Sequence, residues 1–242
     1  MHINQDIMKT FAITHKGLTK KNNEDRYLIK EIGDESLLLA VADGLGGEAA
    51  GEHAAEITIS MLESMELSPT SVKKMLIDTV KKADISIINE TTKNFSLTGM
   101  GTTLTAVLLM NGRVYWVHAG DSRFYIFRNN ILTRQTKDQT LIQFLLDEGE
   151  VTEKEAMSHP ARHMIEQCVG CGSCSPDFGS MDISRGDQIL LTTDGLHGYI
   201  SDNSIRNVLN SRTDLETKTN VLLDAALKAG GSDNITIVMS QY

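Results

Sequence analysis

The chain has 242 residues, of which 40% are hydrophobic, 23% are charged and three are proline, a composition typical of a globular protein rather than a disordered or collagen-like one. Acidic residues outnumber basic ones by 32 to 23, and the resulting net charge of −9 argues against charge-driven binding to nucleic acid or an anionic membrane. No apolar run approaches the roughly 20 residues of a membrane helix, and residues 1–10 lack a secretory pattern, so we predict a cytoplasmic protein.

The sequence shows no internal division into domains. It contains no Pro- or Ser-rich linker, no low-complexity tract and no repeat of fixed period. We therefore predict a single domain that covers residues 1–242.

The first third of the chain predicts strands followed by two helices. After a short strand at residues 11–14, Arg26–Ile32 and Ser36–Ala42 have strand character, and the second is apolar enough for burial on both faces. Ser68 and Pro69 are predicted as the N-cap and first position of the second helix. The apolar stripes of the two helices are Ala50, Ala54, Ile57, Met61 and Met65, and then Val72, Leu76, Val80, Ala83 and Ile87.

The middle of the chain predicts an antiparallel meander. Asn111-Gly112 is a strong hairpin signal, and Asn129-Asn130 marks a second turn. The stretch Thr133–Asp177 is polar and mixed, and we predict short helical pieces in a peripheral position. The predicted strands are Thr102–Met110, Arg113–His118 and Arg123–Arg128.

The last quarter predicts a strand, two helices and a final strand. Gly230-Gly231 is expected to stop the last helix. This order of elements favours an α+β fold with largely antiparallel sheets over a regular βαβ repeat. The elements are strand Gln188–Thr193, helices near Asp202–Asn210 and Thr217–Ala229, and strand Ile235–Ser240.

Aspartates recur at the ends of the predicted strands. A single Asp-Gly pair is usually a turn, but a set of aspartates that converges would repel itself unless cations were present. Carboxylate oxygens select Mg²⁺ or Mn²⁺ over zinc, so the set predicts a site for these ions. The residues concerned are Asp43, Asp121, Asp194 and Asp233, with the acidic pair Glu24-Asp25 before the strand from Arg26.

At these residues the sequence resembles the metal-dependent protein phosphatase 2C (PPM) family, especially its compact bacterial members. The resemblance covers nearly the whole chain, and six short motifs occur in the family's order. It implies an α+β, four-layer βααβ sandwich with two central antiparallel sheets flanked by antiparallel helix pairs. The motifs are Asn-Asn-Glu-Asp at 22–25, Asp-Gly-Leu-Gly-Gly at 43–47, Met-Gly-Thr-Thr at 100–103, Gly-Asp-Ser-Arg at 120–123, Thr-Asp-Gly-Leu at 193–196 and Ser-Asp-Asn at 232–234.

The resemblance also implies a site that holds two Mn²⁺ or Mg²⁺ ions. By motif, Asp43 would bridge the ions, the Gly44 carbonyl would bind one, and Asp194 and Asp233 would hold the other. Glu24 would act through water, and Asp121 would help to hold a third, weaker ion. Thr102-Thr103 and Arg123 are expected to be structural, the arginine through packing or a salt bridge.

The implied activity is hydrolysis of phosphoserine and phosphothreonine in proteins by a metal-bridging hydroxide, without a covalent intermediate. The partners would be proteins phosphorylated on serine or threonine, namely a cognate kinase or the substrates of that kinase. The chain would be a monomer. Two alternatives stay open: a catalytically weak phosphoprotein-binding module, and a phosphatase dedicated to one regulatory partner.

Three positions depart from the family pattern. Lys20 stands at the position where the family usually has a phosphate-binding arginine. The lysine keeps the positive charge but loses the two-pronged contact. His15 stands where the family commonly has an acidic residue, and Leu45 stands where eukaryotic members have a histidine after Asp-Gly. Because that histidine is missing, a metal-bound water would protonate the leaving group.

Residues 134–170 resemble the family's flap, which biases substrate choice. Its histidines, His159 and His163, are predicted to be structural or solvated rather than metal ligands. The flap runs into three cysteines spaced C-x-x-C-x-x-C, for which we predict reduced thiols, with redox sensitivity as a secondary property. A zinc site is the alternative, but it would need a fourth ligand. The cysteines are Cys168, Cys171 and Cys174.

Overall fold

A computed structural model describes residues 8–32, 36–47, 50–68, 70–156 and 159–242. Its helices, in chain order, are α1 (Ala50–Glu63), α2 (Val72–Lys93), α3 (Leu141–Asp147), α4 (Glu153–Ala156), α5 (Asp194–His197), α6 (Asp202–Leu209) and α7 (Leu215–Lys228). Its strands are β1 (Lys9–His15), β2 (Arg26–Ile32), β3 (Ser36–Ala42), β4 (Gly44–Leu45), β5 (Gly101–Thr102), β6 (Leu104–Met110), β7 (Arg113–Ala119), β8 (Arg123–Arg128), β9 (Ile131–Arg134), β10 (Asp177–Asp182), β11 (Gln188–Thr192) and β12 (Ile235–Gln241). Each described helix is too short or too polar to cross a lipid bilayer.

Two five-stranded antiparallel sheets form the centre of the fold. The first sheet has the strand order β1-β12-β11-β8-β9, and the second has the order β10-β7-β6-β3-β2. The two short strands β4 and β5 pair separately, through Gly44 with Thr102 and Leu45 with Gly101.

The apolar run of β3 explains how the layers pack. Leu37, Leu39 and Val41 pack between the sheets, against side chains such as Ile126 of β8. Leu38, Ala40 and Ala42 point the other way and pack against α1 and α2, because successive side chains of a strand face opposite sides. The prediction of burial on both faces is therefore confirmed.

A second helical layer covers the first sheet. Residues of β11 and β12 pack against α6 and α7, through contacts that include Leu190, Met239 and Leu222. The layers are therefore helices, sheet, sheet, helices, which confirms the predicted α+β fold with central sheets and flanking helix pairs. The formula βααβ gives the layer order wrongly, since both sheets lie inside.

Local turn chemistry sets the two predicted hairpins. Asn111 and Gly112 have φ of 54° and 71°, and Asn129 and Asn130 have φ of 51° and 64°. These left-handed conformations match the strand twist in two-residue hairpins, and they join β6 to β7 and β8 to β9. Both turn predictions are confirmed.

The prediction of one meander is wrong, because β7 and β8 belong to different sheets. The chain crosses between the sheets at residues 120–122, where Gly120 has a φ of 108°. The predicted strand from Thr102 is also interrupted at Thr103, which separates β5 from β6.

Helix α2 begins later than predicted. Its N-cap is Ser71, so Ser68 lies outside the helix, and Pro69 falls outside the described residues. The predicted apolar stripe of α2 is buried throughout. In α1 the most buried face is shifted towards Ala55, Ile59 and Leu62, while Ile57 and Met61 are partly buried beside it.

The cysteine segment differs from its prediction in two ways. Cys168 and Cys171 form a disulfide with their Cα atoms 5.5 Å apart, and Cys174 is a buried free thiol, so the prediction of three reduced thiols is wrong. The turn at Gly170, with a φ of 99°, brings the two positions within disulfide range. The segment is also not peripheral, since Val169 is buried and bridges to Thr102.

Candidate functional site

The predicted aspartates lie at one shared end of the two sheets. Asp43 follows β3 and Asp121 follows β7, whereas Asp194 follows β11 and Asp233 lies two residues before β12. The antiparallel registers place these strand ends on the same side: Thr192 of β11 pairs with Ile237 of β12 and with Arg123 of β8. The site is therefore built by both sheets.

Hydrogen bonds from two threonines hold the backbone at Asp43. The Thr103 hydroxyl accepts the Asp43 N–H at 3.1 Å, and the Thr102 hydroxyl donates to the Asp43 carbonyl at 2.8 Å. The Thr103 hydroxyl also lies 2.8 Å from that of Ser122. These contacts confirm that Thr102-Thr103 supports the strand end from below.

Gly44 stands where two backbone segments approach closely. A Cβ at Gly44 would lie 2.4 Å from the carbonyl of Gly51, and a Cβ at Gly51 would lie 2.3 Å from Oε2 of Glu24. Only glycine fits at either position. Sequence reasoning missed Gly51, although a glycine in the first turn of a predicted helix is a signal of close packing.

Asp25 belongs to the acidic set seen in the sequence, but of its pair only Glu24 was predicted to have a role in the site. It is 1% exposed, and its Oδ2 accepts hydrogen bonds from the hydroxyls of Thr193 and Thr236 at 2.8 and 2.7 Å. Its Oδ1 is buried and has no hydrogen-bond partner among the described residues. The available signal was its position directly before β2, at the same end of the second sheet as Asp43.

The acidic cluster comprises Asp25, Asp43, Asp121, Asp194 and Asp233, and its like charges repel one another. Burial raises the pKa of Asp43 well above its usual value, and the charges of Asp25, Asp194, Asp121 and Asp233 raise it further. Burial also raises the pKa of Asp25 to about 7 and that of Asp121 to about 8, with Asp194 contributing to both. The pKa of Asp194 is raised by burial first and by Asp233 second.

The composition of the acidic cluster fits hard divalent cations. Asp194 Oδ1, like Asp25 Oδ1, is buried without a hydrogen-bond partner in the described part of the chain. Within those residues, no three Asp, Glu, His or Cys side chains are grouped so as to hold an ion by themselves. A complete ligand shell would therefore need carbonyl and water oxygens as well, which Mg²⁺ and related ions accept.

Two basic side chains lie beside the acidic cluster. Lys20 Nζ is 2.8 Å from Asp233 Oδ1; burial lowers the lysine's pKa, but the contact with Asp233 outweighs this and leaves it raised. His163 Nδ1 lies 3.8 Å from Asp194 Oδ2, so the flap reaches the site at this residue. His159 instead accepts the Ala161 N–H at 3.1 Å, a local turn contact in keeping with a structural role.

Two further polar residues stabilise the surroundings. Arg123 forms a two-pronged ion pair with Asp138, with contacts of 2.9 and 2.6 Å, which confirms the predicted salt bridge. Asn234 accepts the Glu24 N–H at 2.8 Å and donates to the carbonyls of Lys16 and Asn22. The loop before β2 is thereby tied to the loop before β12.

Comparison with known proteins gives consistent matches. A family model described as protein phosphatase 2C matches residues 15–233. The serine/threonine phosphatase stp of Listeria monocytogenes is 30% identical over 233 residues, which cover 93% of this chain and 92% of that protein. The serine/threonine protein phosphatase PstP of Mycobacterium tuberculosis is 36% identical over 97% of this chain. The chain spans 45% of the length of PstP, about half of that relative.

Solved structures show the same similarity. The serine/threonine phosphatase of S. agalactiae has a TM-score of 0.91 and 30% identity, with 97% of this chain and 99% of that chain covered. The catalytic domain of PstP, solved in complex with two manganese ions, has a TM-score of 0.86 and 34% identity, with 97% of each chain covered.

Proposed function

The chain belongs to the protein phosphatase 2C family, and from this premise we propose that it is a divalent-cation-dependent protein serine/threonine phosphatase. The observation that carries the proposal is the acidic cluster, in which burial and the charges of four other carboxyl groups, drawn from both sheets, raise the pKa of Asp43. Such a cluster stays ionised at neutral pH only if cations compensate its charge. The two manganese ions in the PstP catalytic domain support this choice of cation.

We propose that the ions are held by the residues that the motifs indicate. Asp43 would contact both ions, the Gly44 carbonyl would complete one ligand set, and Asp194 and Asp233 would belong to the other. Glu24 would contribute through water. Asp121, whose pKa is raised by burial and then by Asp194, is the proposed residue for a third and weaker ion. The bound ions would be Mn²⁺ or Mg²⁺, since both accept oxygen ligands.

When bound, the cations would supply an acidified water nucleophile and neutralise charge on the phosphoryl group. The reaction transfers the phosphoryl group from a serine or threonine oxygen to water, so the chain needs no nucleophile of its own. This agrees with the cysteines, of which two are joined in a disulfide and the third is buried.

Lys20 is the proposed phosphate-binding residue. Its side chain is 44% exposed and its ammonium group contacts Asp233 at the edge of the acidic cluster. Lysine offers a point charge where arginine would offer two parallel donors, so it would attract the phosphate without fixing its orientation.

The proposed substrates are proteins phosphorylated on serine or threonine, which are products of a kinase that acts in the same signalling system. The flap at residues 134–170 would influence the choice among them, because His163 brings it to the edge of the acidic cluster.

The proposal is tested by hydrolysis of a phosphothreonine peptide and of p-nitrophenyl phosphate, with Mn²⁺ and with EDTA. We expect turnover of both only with Mn²⁺, and its loss in Asp43→Asn and Asp194→Asn. Asp224→Asn on the exposed face of α7 is the matched control and should keep full activity.

Three outcomes would separate the alternatives. Absence of Mn²⁺-dependent turnover would refute the enzyme assignment, and tight binding of the phosphopeptide without turnover would instead favour a phosphoprotein-binding module. Turnover of p-nitrophenyl phosphate but of no phosphopeptide would keep the chemistry and remove the protein substrate.

A further inference from the structure

The Cys168–Cys171 disulfide lies against the strand pair that carries Gly44. A Cβ built on Gly101 of β5 would lie 3.0 Å from the Cys168 sulfur and 3.5 Å from the Cys171 sulfur, so both sulfurs cover this glycine. Gly101 pairs with Leu45 of β4. The disulfide is therefore in contact with the β4–β5 pair and not with an isolated surface loop.

Backbone hydrogen bonds connect the disulfide segment to Asp43 over a short path. Val169, between the two cysteines, exchanges two hydrogen bonds with Thr102: its N–H donates to the Thr102 carbonyl at 2.8 Å and its carbonyl accepts the Thr102 N–H at 2.9 Å. The Thr102 hydroxyl donates to the Asp43 carbonyl. A change at the disulfide is thus two hydrogen-bonded steps from the acidic cluster.

The same segment is fixed on its other side by α2. The Gly170 N–H donates to Asp84 Oδ1 at 2.6 Å, and a Cβ at Gly170 would lie 2.4 Å from Ile87. The segment is therefore packed between α2 and β5, and the disulfide closes its turn.

The three sulfurs differ in their access to solvent. Cys171 is exposed, whereas Cys168 is 2% and Cys174 7% exposed. Cys174 packs in the apolar core beside α2, where burial first and Asp84 second raise its thiol pKa to about 12. Cys174 is thus an unreactive structural thiol, and Cys171 is the sulfur that an external thiol can reach.

We propose that Cys168 and Cys171 form a reversible dithiol–disulfide modification site, whose oxidised form holds β5 in place beneath Asp43 and whose reduced form loosens it. The exchange partner is a low-molecular-weight or protein thiol. Its thiolate attacks the Cys171 sulfur, forms a mixed disulfide and releases Cys168 as a thiolate, which takes up a proton. A second external thiol attacks the partner's sulfur and frees Cys171. Two electrons and two protons reach the cysteines, and the external thiols leave as a disulfide.

The first test counts thiols in the full-length chain by iodoacetamide labelling and mass spectrometry. Under denaturing conditions after oxidised glutathione treatment, we expect one labelled cysteine, Cys174, and a linked Cys168–Cys171 peptide. After dithiothreitol we expect three labelled cysteines. Three labelled cysteines after oxidation, or one equivalent of zinc bound by the segment, would overturn the proposal.

The second test measures amide hydrogen exchange with and without dithiothreitol. It uses the chain without metal or substrate, so its result does not depend on the proposed phosphatase activity. We expect reduction to speed exchange of the Thr102 and Val169 amides by about tenfold or more. Without the disulfide, only the hydrogen bonds and packing of the segment oppose the local opening that exposes these amides to solvent.

Two variants control this measurement. Cys171→Ser changes an exposed side chain and should give the fast exchange of the reduced chain, whatever the reductant. Cys174→Ala should keep the response to dithiothreitol. Equal exchange rates in the oxidised and reduced wild-type chain would contradict the proposed loosening.

Discussion

Asn234 joins the two loops that present Glu24 and Asp233. Its side chain is 3% exposed and forms three hydrogen bonds, one accepted from Glu24 and two donated to backbone carbonyls. An amide is well suited here, because it can accept and donate at once without adding another charge to the acidic cluster.

Replacement of this residue should weaken both the fold and the site. Asn234→Ala leaves a buried N–H and two carbonyls unpaired, and we expect a loss of about 2 kcal/mol in the free energy of unfolding. Urea denaturation measures this loss, and calorimetric titration should show weaker Mn²⁺ binding. Asn220→Ala, on the exposed face of α7, removes one hydrogen bond at the surface and should change neither quantity. Equal effects of the two substitutions would show that Asn234 has no special role.

Lys20 is predicted to act on substrate binding more than on turnover. Lys20→Ala removes the positive charge beside the acidic cluster, and we expect KM for a phosphothreonine peptide to rise about tenfold, which corresponds to one charge-assisted contact. Lys20→Arg should lower KM, because the guanidinium can bind the phosphate through two donors. Steady-state kinetics of both variants, with Lys16→Ala as a nearby control, decides this. An unchanged KM in Lys20→Ala would remove the residue from the site.

Asp25 shows where sequence reasoning about single residues stops. The acidic pair Glu24-Asp25 is visible in the sequence, but the choice of the buried member depends on Thr193 and Thr236, which are more than 160 positions away. Such partners are set by the pairing of β11 with β12 and by the contact between the sheets, and no local pattern contains this information.

At the scale of elements, the N-terminus of α1 meets strand β4. Gly44 and Gly51 allow these backbones to touch, and the Glu24 side chain fills the space beside them. The arrangement holds the Gly44 carbonyl, a proposed ligand, against a helix that packs in the core through Ala54 and Leu62.

A methyl group at Gly51 should disturb this contact. In Gly51→Ala the new Cβ would lie 2.3 Å from Glu24 Oε2 and 2.7 Å from the Gly44 carbonyl carbon, so one of them must move. We expect Mn²⁺ binding to weaken by about tenfold, equivalent to about 1.4 kcal/mol, because the Gly44 carbonyl, a proposed ligand, is displaced. Calorimetric titration measures it. Ser60→Ala, on the exposed face of the same helix, is the control. Equal Mn²⁺ affinity in both variants would show that the contact at Gly51 does not position the Gly44 carbonyl.

Turns that are determined by the types of neighbouring residues could be predicted from the sequence. Contacts between residues that are far apart in the chain, or that belong to different sheets, could not. The positive φ values of Asn111-Gly112 and Asn129-Asn130 follow from residue type, and both hairpins were correctly predicted. The crossing at Gly120 was missed, because a chain that continues a meander and one that changes sheets have the same alternation of apolar residues. The Val169–Thr102 bridge was missed for a similar reason: its partners are 67 positions apart.

At the scale of the whole molecule, the acidic cluster is a junction between the two sheets. Asp43 and Asp121 come from one sheet and Asp194 and Asp233 from the other, so their repulsion acts across the interface that Leu39, Val107 and Leu191 hold together. Cation binding should therefore stabilise the whole domain and not only the loops. The cluster accounts for five of the 32 acidic residues behind the net charge of −9.

The pH dependence of stability should reveal this junction. In the ion-free chain the pKa values of Asp25 and Asp121 are raised from 3.8 to about 7 and 8. The folded state then binds more protons than the unfolded state, so the stability from these groups is full below about pH 4 and is lost as pH rises through 7 to 8. We expect the Tm of the EDTA-treated chain to fall between pH 5 and 7.5.

Mn²⁺ should reverse this trend, because cations and protons compete for the same carboxylates and the ion binds only the folded arrangement. The rise in Tm on adding Mn²⁺ should therefore be larger at pH 7.5 than at pH 5. Differential scanning fluorimetry at the two pH values, with and without the ion, measures it. Asp43→Asn should have a higher ion-free Tm at pH 7.5, because the free-energy cost of burying the Asp43 carboxyl, as a charge or by protonating it, is gone. Its response to Mn²⁺ should be smaller. A Tm that does not respond to Mn²⁺ at either pH would show that the acidic cluster does not link the sheets through a cation.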